Sequence, residues 1–385
     1  MPLALRVKTI QGRRKMDEQA LRDFGAVISQ LVRGEDIDRE TAKNCWLQIC
    51  EESQPDLQQG AFMAALSAKG ETPEEIAGTF EALYESDTAK VDLNVDQPMI
   101  DNCGTGADTL KTFNISTAAA IIAASCDVTV VRHAARAISS NCGAIDVIEA
   151  LGVNVETDNH IPKQSIENAG IGAWNAFLPQ VHPKTLGRVL SQVRFGSTIN
   201  IVGPLLNPTM PEYKVMGVPN EDMVDIEAKT LRELGVKRAF LMYGKDNNSD
   251  KGMDELSTLG VSAIAELKAD GSIQHGTLDP TEFGISLTEY DTIASSRDVN
   301  RDATQLLRVI TGKDGGAKED IVCLNAAPLF YVMGKVQTLG DGIAMARQAI
   351  KSGAAELKLR DWVKWQNIEP DAGMPVYEKM LAQAG

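Results

Sequence analysis

The apolar positions of the first ninety residues recur at helical spacing. Between Leu21 and Val32 they stand three or four residues apart, which predicts a helix with one apolar face that Gly34 can end. The run Thr72–Glu75 combines a capping-box pattern with proline in the first turn and starts another apolar helix. No alternating strand pattern interrupts this region, so residues 1–90 are predicted to form a small helical domain.

After about residue 98 the pattern changes to short apolar runs, glycine turns and longer helical stretches. Strand-like runs at Val128–Arg132 and Val153–Glu156 flank a helical pattern over Gly143–Leu151. Further strands are expected at Ala239–Tyr243 and Val261–Leu267. This alternation is typical of βαβ units and predicts a mostly parallel sheet.

The predicted fold class is therefore α/β, with a small N-terminal all-helical domain and a large, mostly parallel α/β domain. The α/β domain is assigned residues 91–177 and 196–385, separated by a polar, helix-like segment that starts near Leu178. The last twenty residues, which follow Trp362 and Trp365, look like an appended tail.

The charge of the chain limits its partners. Its 385 residues contain 38 Lys and Arg against 53 Asp and Glu, a net charge of −15. Nucleic-acid backbones and anionic membranes would repel such a chain, so neither is expected as a partner. The sequence shows no secretory signal or membrane-spanning run, which predicts a cytoplasmic location. The six cysteines form no C-x-x-C pair and are expected to be reduced.

The most informative segment begins at Asp101 and combines glycines with hydroxyl and amide side chains. Gly104-Thr105-Gly106 allows a tight turn, and Thr112-Phe113-Asn114-Ile115-Ser116-Thr117 leads into an alanine-rich helix. Free amides and the positive end of the helix dipole make such a segment a plausible cradle for phosphate or diphosphate. The alternative is an ordinary strand–turn–helix connection with a Ser/Thr cap.

This cradle is not one of the two common types. It lacks the G-x-x-x-x-G-K-[ST] pattern of nucleotide triphosphatases, and Gly104-x-Gly106 lacks the third glycine of the dinucleotide-binding fingerprint. The acidic pair and threonine-rich loop of purine-salvage phosphoribosyltransferases are absent too.

Longer motifs resemble the anthranilate phosphoribosyltransferase family. The resemblance begins with Gly-Thr-Gly-x-Asp and Thr-Phe-Asn-Ile-Ser-Thr-Ala and covers roughly residues 17–366. It continues through Arg132-His133-Ala134-Ala135-Arg136, Ser139-Ser140, Gly143-x-x-Asp146, His182-Pro183, Asn200-Ile201-Val202-Gly203-Pro204, Gly252-Met253-Asp254-Glu255 and Asn325-Ala326-Ala327.

The resemblance implies a type III phosphoribosyltransferase fold, similar to type II nucleoside phosphorylases, with the helical domain completed by about residues 178–195. It implies transfer of phosphoribose from phosphoribosyl diphosphate to an aromatic amine, with Mg²⁺, in a homodimer. Asp254 and Glu255 would hold one magnesium ion and Ser116 would touch another. The residues expected to hold the donor are Gly104, Thr105, Gly106, Asp108, Thr112, Asn114, Ser116 and Thr117.

The chemistry of these residue types agrees with that assignment. Cleaving a C1–O bond of ribose builds negative charge on the diphosphate, and carboxylate oxygens suit the Mg²⁺ that stabilises it. Taken alone, Asp254-Glu255 would be a solvated acidic pair. Arg132 stands where the family usually has lysine and keeps a cation near the donor phosphates, the alternative being a surface arginine. His133 and His182 are expected to pack or hydrogen-bond rather than to catalyse.

Departures from the family pattern concentrate on the acceptor side. Ala135 replaces an asparagine that helps to bind anthranilate in the family. The stretch 184–197 is about two residues shorter, so Arg188 and Arg194 are out of register with the arginine that faces the anthranilate carboxylate, although either could reach it. On the donor side, Ala107 replaces a glycine and Ala144 a serine.

Three functions remain open at this point. The first is transfer to anthranilate in tryptophan biosynthesis. The second is the same donor chemistry, or nucleoside phosphorolysis, with another aromatic acceptor. The third is a non-catalytic nucleic-acid-binding relative, which the acidic balance and the retained Asp254-Glu255 disfavour.

Overall fold

The computed structural model describes residues 18–106, 108–136, 142–193 and 195–385. Four helices come first, and α2 packs on α4 while α1 packs on α3. The capping box that begins α4 is confirmed, since the Thr72 side chain accepts from the Glu75 N–H and the Glu75 carboxylate accepts from the Thr72 N–H. These helices are α1 Glu18–Val32, α2 Arg39–Cys50, α3 Asp56–Lys69 and α4 Pro73–Asp87.

A single sheet with the strand order β3-β2-β1-β4-β5-β7-β8 forms the centre of the molecule, and β6 pairs with β5. The pairs from β3 to β5 are parallel, and those of β5 with β6, β5 with β7 and β7 with β8 are antiparallel. The mostly parallel α/β prediction is therefore confirmed. The strands are β1 Met99–Asp101, β2 Thr129–Ala134, β3 Ile171–Asn175, β4 Tyr213–Gly217, β5 Arg238–Lys245, β6 Gly252–Met253, β7 Ser262–Leu267 and β8 Ile273–Leu278.

Helices cover both faces of this sheet. One core contains α5 and α12 to α16, and the other joins the N-terminal helices to α8, α9, α10 and the sheet. The alanine-rich α5 packs against α13, and nine of its ten residues are buried. The helices are α5 Ile115–Ala124, α6 Ala144–Ala150, α7 His160–Ala169, α8 Thr185–Val193, α9 Thr198–Val202, α10 Asp222–Glu233, α11 Tyr290–Ile293, α12 Val299–Ile310, α13 Ala317–Val332, α14 Leu339–Lys351, α15 Ala354–Trp365 and α16 Met374–Gln383.

Two sequence-based expectations are wrong. Val153–Glu156 is not a strand: Val153 and Val155 are buried, but the Asn154 N–H donates to the Gln366 carbonyl instead of to a neighbouring strand. The third parallel strand is β3, which the sequence-based prediction missed.

The last twenty residues are not an appended tail, because α16 packs on α12 and α15 and buries Tyr377 and Met380.

The segment after residue 178 joins the two parts of the molecule. Its helix α8 begins only at Thr185, where the Asp87 carboxylate at the end of α4 accepts from the N–H groups of Lys184 and Leu186, at 2.6 Å each. Helices α8 and α9 both contact α4. The division into residues 1–90 with 178–195, and 91–177 with 196–385, stays a prediction.

All six cysteines are free thiols, as expected. Within the described part of the chain, no helix combines the length and apolar character needed to cross a membrane.

Candidate active site

A cavity of about 750 Å³ opens at the carboxyl ends of the parallel strands. In an open α/β sheet this edge is where ligands bind, because the loops that follow neighbouring strands converge there. We call two parts of its wall the polar half and the apolar half. The polar half is formed by Gly104, Thr105, Gly106, Asp108, Lys111, Thr112, Asn114, Ser116, Asp254 and Glu255, and the apolar half by Ala134, Ala135, Ala176, Phe177, Leu186, Leu190, Val193, Phe195 and Ile199.

Three carboxylates meet in the polar half. Asp108, Asp254 and Glu255 each offer an oxygen, and these oxygens lie within 4.8 Å of one another. The Lys111 ammonium donates to Asp108 Oδ1 at 2.8 Å and to the Gly106 carbonyl at 2.8 Å. Burial and the Asp108 charge raise the pKa of Asp254 to about 7, and burial with the Asp254 charge raises the pKa of Glu255 well above its ordinary value. The single lysine does not neutralise this cluster, which therefore suits a divalent cation.

Gly104 and Gly217 leave room for the Gly-Thr-Gly turn to lie close to Asp254 and Glu255. A Cβ on Gly217 would lie 1.5 Å from the Asp254 carbonyl oxygen, and a Cβ on Gly104 would lie 2.6 Å from Asp254 Oδ2. The turn is tied to the pair, since the Gly106 N–H donates to Asp254 Oδ2 at 2.7 Å and the Thr105 N–H donates to the Gly217 carbonyl. These two amides are therefore engaged, and the turn positions carboxylates more than it presents free N–H groups.

The N-terminus of α5 faces the same half of the cavity. Asn114 precedes the helix without a side-chain capping bond, and its Oδ1 is buried without a partner among the described residues. Thr105 Oγ1, also in the cavity wall, has no partner in the described structure either. Buried polar atoms without partners are costly, so these two point to a polar ligand. The α5 dipole favours an anionic one.

Arg132 is buried beneath this helix end and is not a surface residue. Its guanidinium donates to the Ser116 carbonyl at 2.9 Å and to the Asn102 side chain, and Asn102 Nδ2 donates to the same carbonyl at 2.7 Å. Arg132 Nη2 also lies 3.4 Å from Ser116 Oγ. These bonds hold Ser116 in position, and they engage the guanidinium that we predicted to contact the donor.

The structure brings most of the predicted residues to one place. The residues that line the cavity are Gly104, Thr105, Gly106, Asp108, Thr112, Asn114, Ser116, Arg132, Asp254 and Glu255. Thr117 is not among them, and its side chain on α5 is fully buried. Asp108, which we predicted to hold the donor, lines the cavity beside the carboxylates of Asp254 and Glu255, and its contact with the donor stays a prediction.

The two arginines predicted for the acceptor have different outcomes. Arg188 does not line the cavity: its guanidinium donates to Gln59 Oε1 at 3.0 Å and to the Ile49 carbonyl at 2.8 Å in the helical domain. The expectation that it reaches an acceptor carboxylate is therefore not supported. Arg194 lies outside the described residues, as do Ala107, Ser139 and Ser140.

Sequence reasoning missed two groups of cavity residues. Lys111 stands three residues after Asp108, a spacing that brings opposite charges together in a turn and could have revealed the ion pair. The apolar positions Leu186, Leu190 and Val193 follow the spacing i, i+4, i+7 on α8, which marks a single helix face but does not distinguish a cavity wall from a core.

His133 and His182 form a buried pair with Nε2 atoms 2.9 Å apart. His182 Nδ1 lies 3.0 Å from the Asp87 carbonyl, which can only accept, so this nitrogen carries a proton and His182 Nε2 accepts from His133. Burial lowers the pKa of both rings, so both are neutral. Their hydrogen-bonding role agrees with the prediction.

Comparisons with known proteins agree with this geometry. The family described as "Glycosyl transferase family, a/b domain" matches residues 96–356, and "Glycosyl transferase family, helical bundle domain" matches residues 26–87. An anthranilate phosphoribosyltransferase of Anaeromyxobacter dehalogenans is 37% identical over 339 residues, which cover 87% of this chain and 96% of that protein.

Two solved structures extend the comparison. The crystal structure of an anthranilate phosphoribosyltransferase from Thermus thermophilus superposes with a TM-score of 0.78 at 29% identity, over 88% of this chain and 98% of that one. The Saccharomyces cerevisiae enzyme, solved with PRPP and Mg, shares the fold at a TM-score of 0.79 and 24% identity, over 92% of this chain and 99% of that one. The chain belongs to the anthranilate phosphoribosyltransferase family of glycosyl transferases.

Proposed function

We propose that the protein transfers phosphoribose from phosphoribosyl diphosphate to the amino group of an aromatic amine, releasing diphosphate, with anthranilate as the first acceptor to test. Anthranilate is the acceptor that the relatives' names indicate, and its use would place the enzyme in tryptophan biosynthesis. In the reaction the amine nitrogen forms a bond to C1, the C1–O bond breaks with its electron pair passing to diphosphate, and the nitrogen loses a proton.

One observation carries the proposal: three clustered carboxylates and an uncapped helix N-terminus share a cavity with an apolar wall. The polar half suits an anionic leaving group with a cation, and the apolar half suits an aromatic ring. A cavity of about 750 Å³ is within the ordinary range for small-molecule sites.

The polar half fits a magnesium ion by the chemistry of its donors. Asp108, Asp254 and Glu255 supply only oxygen ligands, which Mg²⁺ prefers, and their clustered negative charge lacks a full counter-charge. Asp254 and Glu255 would hold the ion, and Asp108 lies within reach of the same position. A bound Mg²⁺ stabilises negative charge that develops on diphosphate oxygens.

The chain's own groups orient the donor. Ser116 and Asn114 at the start of α5 line the cavity, and Lys111 provides a positive charge beside the carboxylates. Positioning and stabilisation of the leaving group are the main demands of this reaction, so no general acid or base is assigned. A contact of Ser116 with a second ion stays a prediction.

The test uses purified protein with phosphoribosyl diphosphate, Mg²⁺ and anthranilate, and follows both diphosphate release and loss of anthranilate fluorescence. We expect saturable, Mg²⁺-dependent turnover that falls at least about 100-fold in the Asp254→Asn, Glu255→Gln double variant, because metal stabilisation of the leaving group is worth several kcal/mol. Glu369→Gln, at an exposed position, is the matched control. Absence of donor binding by calorimetry in the presence of Mg²⁺ would refute the proposal.

We further propose that the protein acts as a cytoplasmic homodimer. Val32 on α1 and Leu57 on α3 are large apolar side chains with 72% and 87% of their surface exposed. Both side chains belong to the N-terminal helices, so we expect the second copy to contact this part of the molecule. Sedimentation analysis of the wild type and of Leu57→Glu tests the dimer.

A further inference from the structure

We propose that the apolar half of the cavity recognises the ring of the acceptor but not a carboxylate on it, so that neutral aromatic amines are substrates at least as good as anthranilate. This inference rests on the proposed phosphoribosyl transfer and concerns the acceptor only. The bond that forms is the C1–N bond described above, and the diphosphate that leaves is the same for every amine.

The first step is the composition of helix α8, which provides one wall of the apolar half. Its cavity-facing positions are Leu186, Leu190 and Val193. The same apolar half contains Ala135, which follows β2, and Phe177, which follows β3. These side chains offer an aromatic ring apolar contact and offer a carboxylate no hydrogen-bond donor.

The second step is that the described cations of the cavity wall are engaged elsewhere. Arg132 bonds to Asn102 and to the Ser116 carbonyl, and Lys111 bonds to Asp108. Arg136 donates to Asp146 and Glu149 at 2.8 Å each and also pairs with Glu156. Because the Arg136 guanidinium already pairs with three carboxylates, a further pair with an acceptor carboxylate would add little binding energy.

The third step concerns the two remaining cationic candidates. His133 is neutral and bonded to His182, and Arg188 is turned into the helical domain toward Gln59 and Ile49. Among the described residues of the apolar half, none therefore supplies an uncommitted positive charge. A carboxylate placed there loses its hydration without gaining a partner, whereas an uncharged substituent does not.

The experiment compares anthranilate with 2-aminobenzamide, its neutral counterpart of nearly equal size, and with aniline, which lacks the substituent. Diphosphate release is measured, because this signal does not depend on the optical properties of the amine, and a blank without amine corrects for donor hydrolysis. We expect the ratio of kcat/KM for anthranilate to that for 2-aminobenzamide to be about one or lower. A charged hydrogen bond to the carboxylate would favour anthranilate about tenfold or more, so a ratio clearly above one overturns the inference.

Two variants on one helix provide the gain-of-function test. Leu190→Arg adds a cation to the apolar half and should raise the ratio about tenfold. Gly187→Arg adds the same charge on the exposed side of α8, where an added Cβ meets no atom within 4 Å, and should leave the ratio unchanged. Equal effects of the two variants would overturn the inference, and calorimetric binding of the donor establishes that each variant is folded.

The remaining test of the inference is the variant Arg194→Ala. If Arg194→Ala lowers kcat/KM for anthranilate at least about tenfold while sparing 2-aminobenzamide, that arginine recognises the carboxylate and the inference is wrong. If both amines change by the same factor, the inference stands. Failure of all amines to release diphosphate refutes the proposed function instead, so the two failures are distinguishable.

Discussion

The acidic cluster leads to a prediction in which stability and activity change in opposite directions. Asp254→Asn removes one of three neighbouring carboxylates but keeps the oxygen that accepts from the Gly106 N–H. If the cluster exists to hold a cation, the free energy of unfolding in the absence of Mg²⁺ should be higher for the variant than for the wild type. The variant should also lose Mg²⁺-dependent turnover.

The magnitude follows from the pKa of Asp254, which burial and the Asp108 charge raise from 3.8 to about 7. A raised pKa favours the protonated form in the folded state, so the stability present at low pH is lost as the pH rises toward 7. Each pH unit in that interval corresponds to about 1.4 kcal/mol. The advantage of the variant should therefore grow by about 2 kcal/mol between pH 5.5 and 8.5, a range that stays above the pI of about 4.8.

The assay is urea unfolding of the wild type, Asp254→Asn and the exposed control Glu369→Gln, at both pH values, with and without Mg²⁺. Bound Mg²⁺ should stabilise the wild type and reduce or reverse the difference, because a ligand of the folded state adds stability. A variant that is less stable than the wild type at both pH values without Mg²⁺ would refute this reasoning. It would show that the Asp254 carboxylate is a structural group whose charge favours the fold.

Three further predictions concern single features. Ser116→Ala should weaken donor binding by roughly 1 to 3 kcal/mol, since its hydroxyl is predicted to meet charged oxygen or metal; calorimetry checks this, and no change would leave Ser116 a helix-start residue only. Glu227 is buried without a hydrogen-bond partner in the described structure, and burial raises its pKa to about 8, so the wild type should lose stability relative to Glu227→Gln as the pH rises from 5.5 to 8.5. Urea unfolding measures this, and parallel pH profiles would contradict it. Deletion of residues 372–385 removes α16 and its buried Tyr377 and Met380, and should lower the thermal unfolding midpoint; an unchanged midpoint would show that this helix adds no stability.

The sequence predicted correctly those elements that depend on residues close together in the chain. The capping box at Thr72 and the strands β2, β5 and β7 depend on short-range spacing, and the structure has them within one or two residues. The sequence-based prediction was wrong where contacts between residues far apart in the chain determine the local structure. Val153 and Val155 look like a strand, yet the backbone between them bonds to Gln366, more than two hundred residues away.

The same distinction applies to the candidate site. Its glycines and hydroxyl groups are contiguous, so the motif near residue 104 indicated them directly. The reason for Gly217 is not local: it allows the Asp254 backbone to pass at a distance that no Cβ permits. Likewise, Asp108 joins the carboxylate cluster only because β6 delivers Asp254 and Glu255 beside it.

The acceptor side was the hardest to predict, because the direction of a side chain decides its role there. Arg188 and Leu190 are two positions apart on α8 and therefore point to different sides of the helix. The structure turns the arginine toward the Ile49 carbonyl and leaves the leucine in the cavity wall. The family resemblance made Arg188 a candidate for contact with the acceptor carboxylate, although out of register, whereas the directions of Arg188 and Leu190 indicate an apolar wall. The acceptor selectivity that we propose depends on which face of α8 lines the cavity, and the Asp87 carboxylate anchors the start of this helix by accepting from the Lys184 and Leu186 N–H groups.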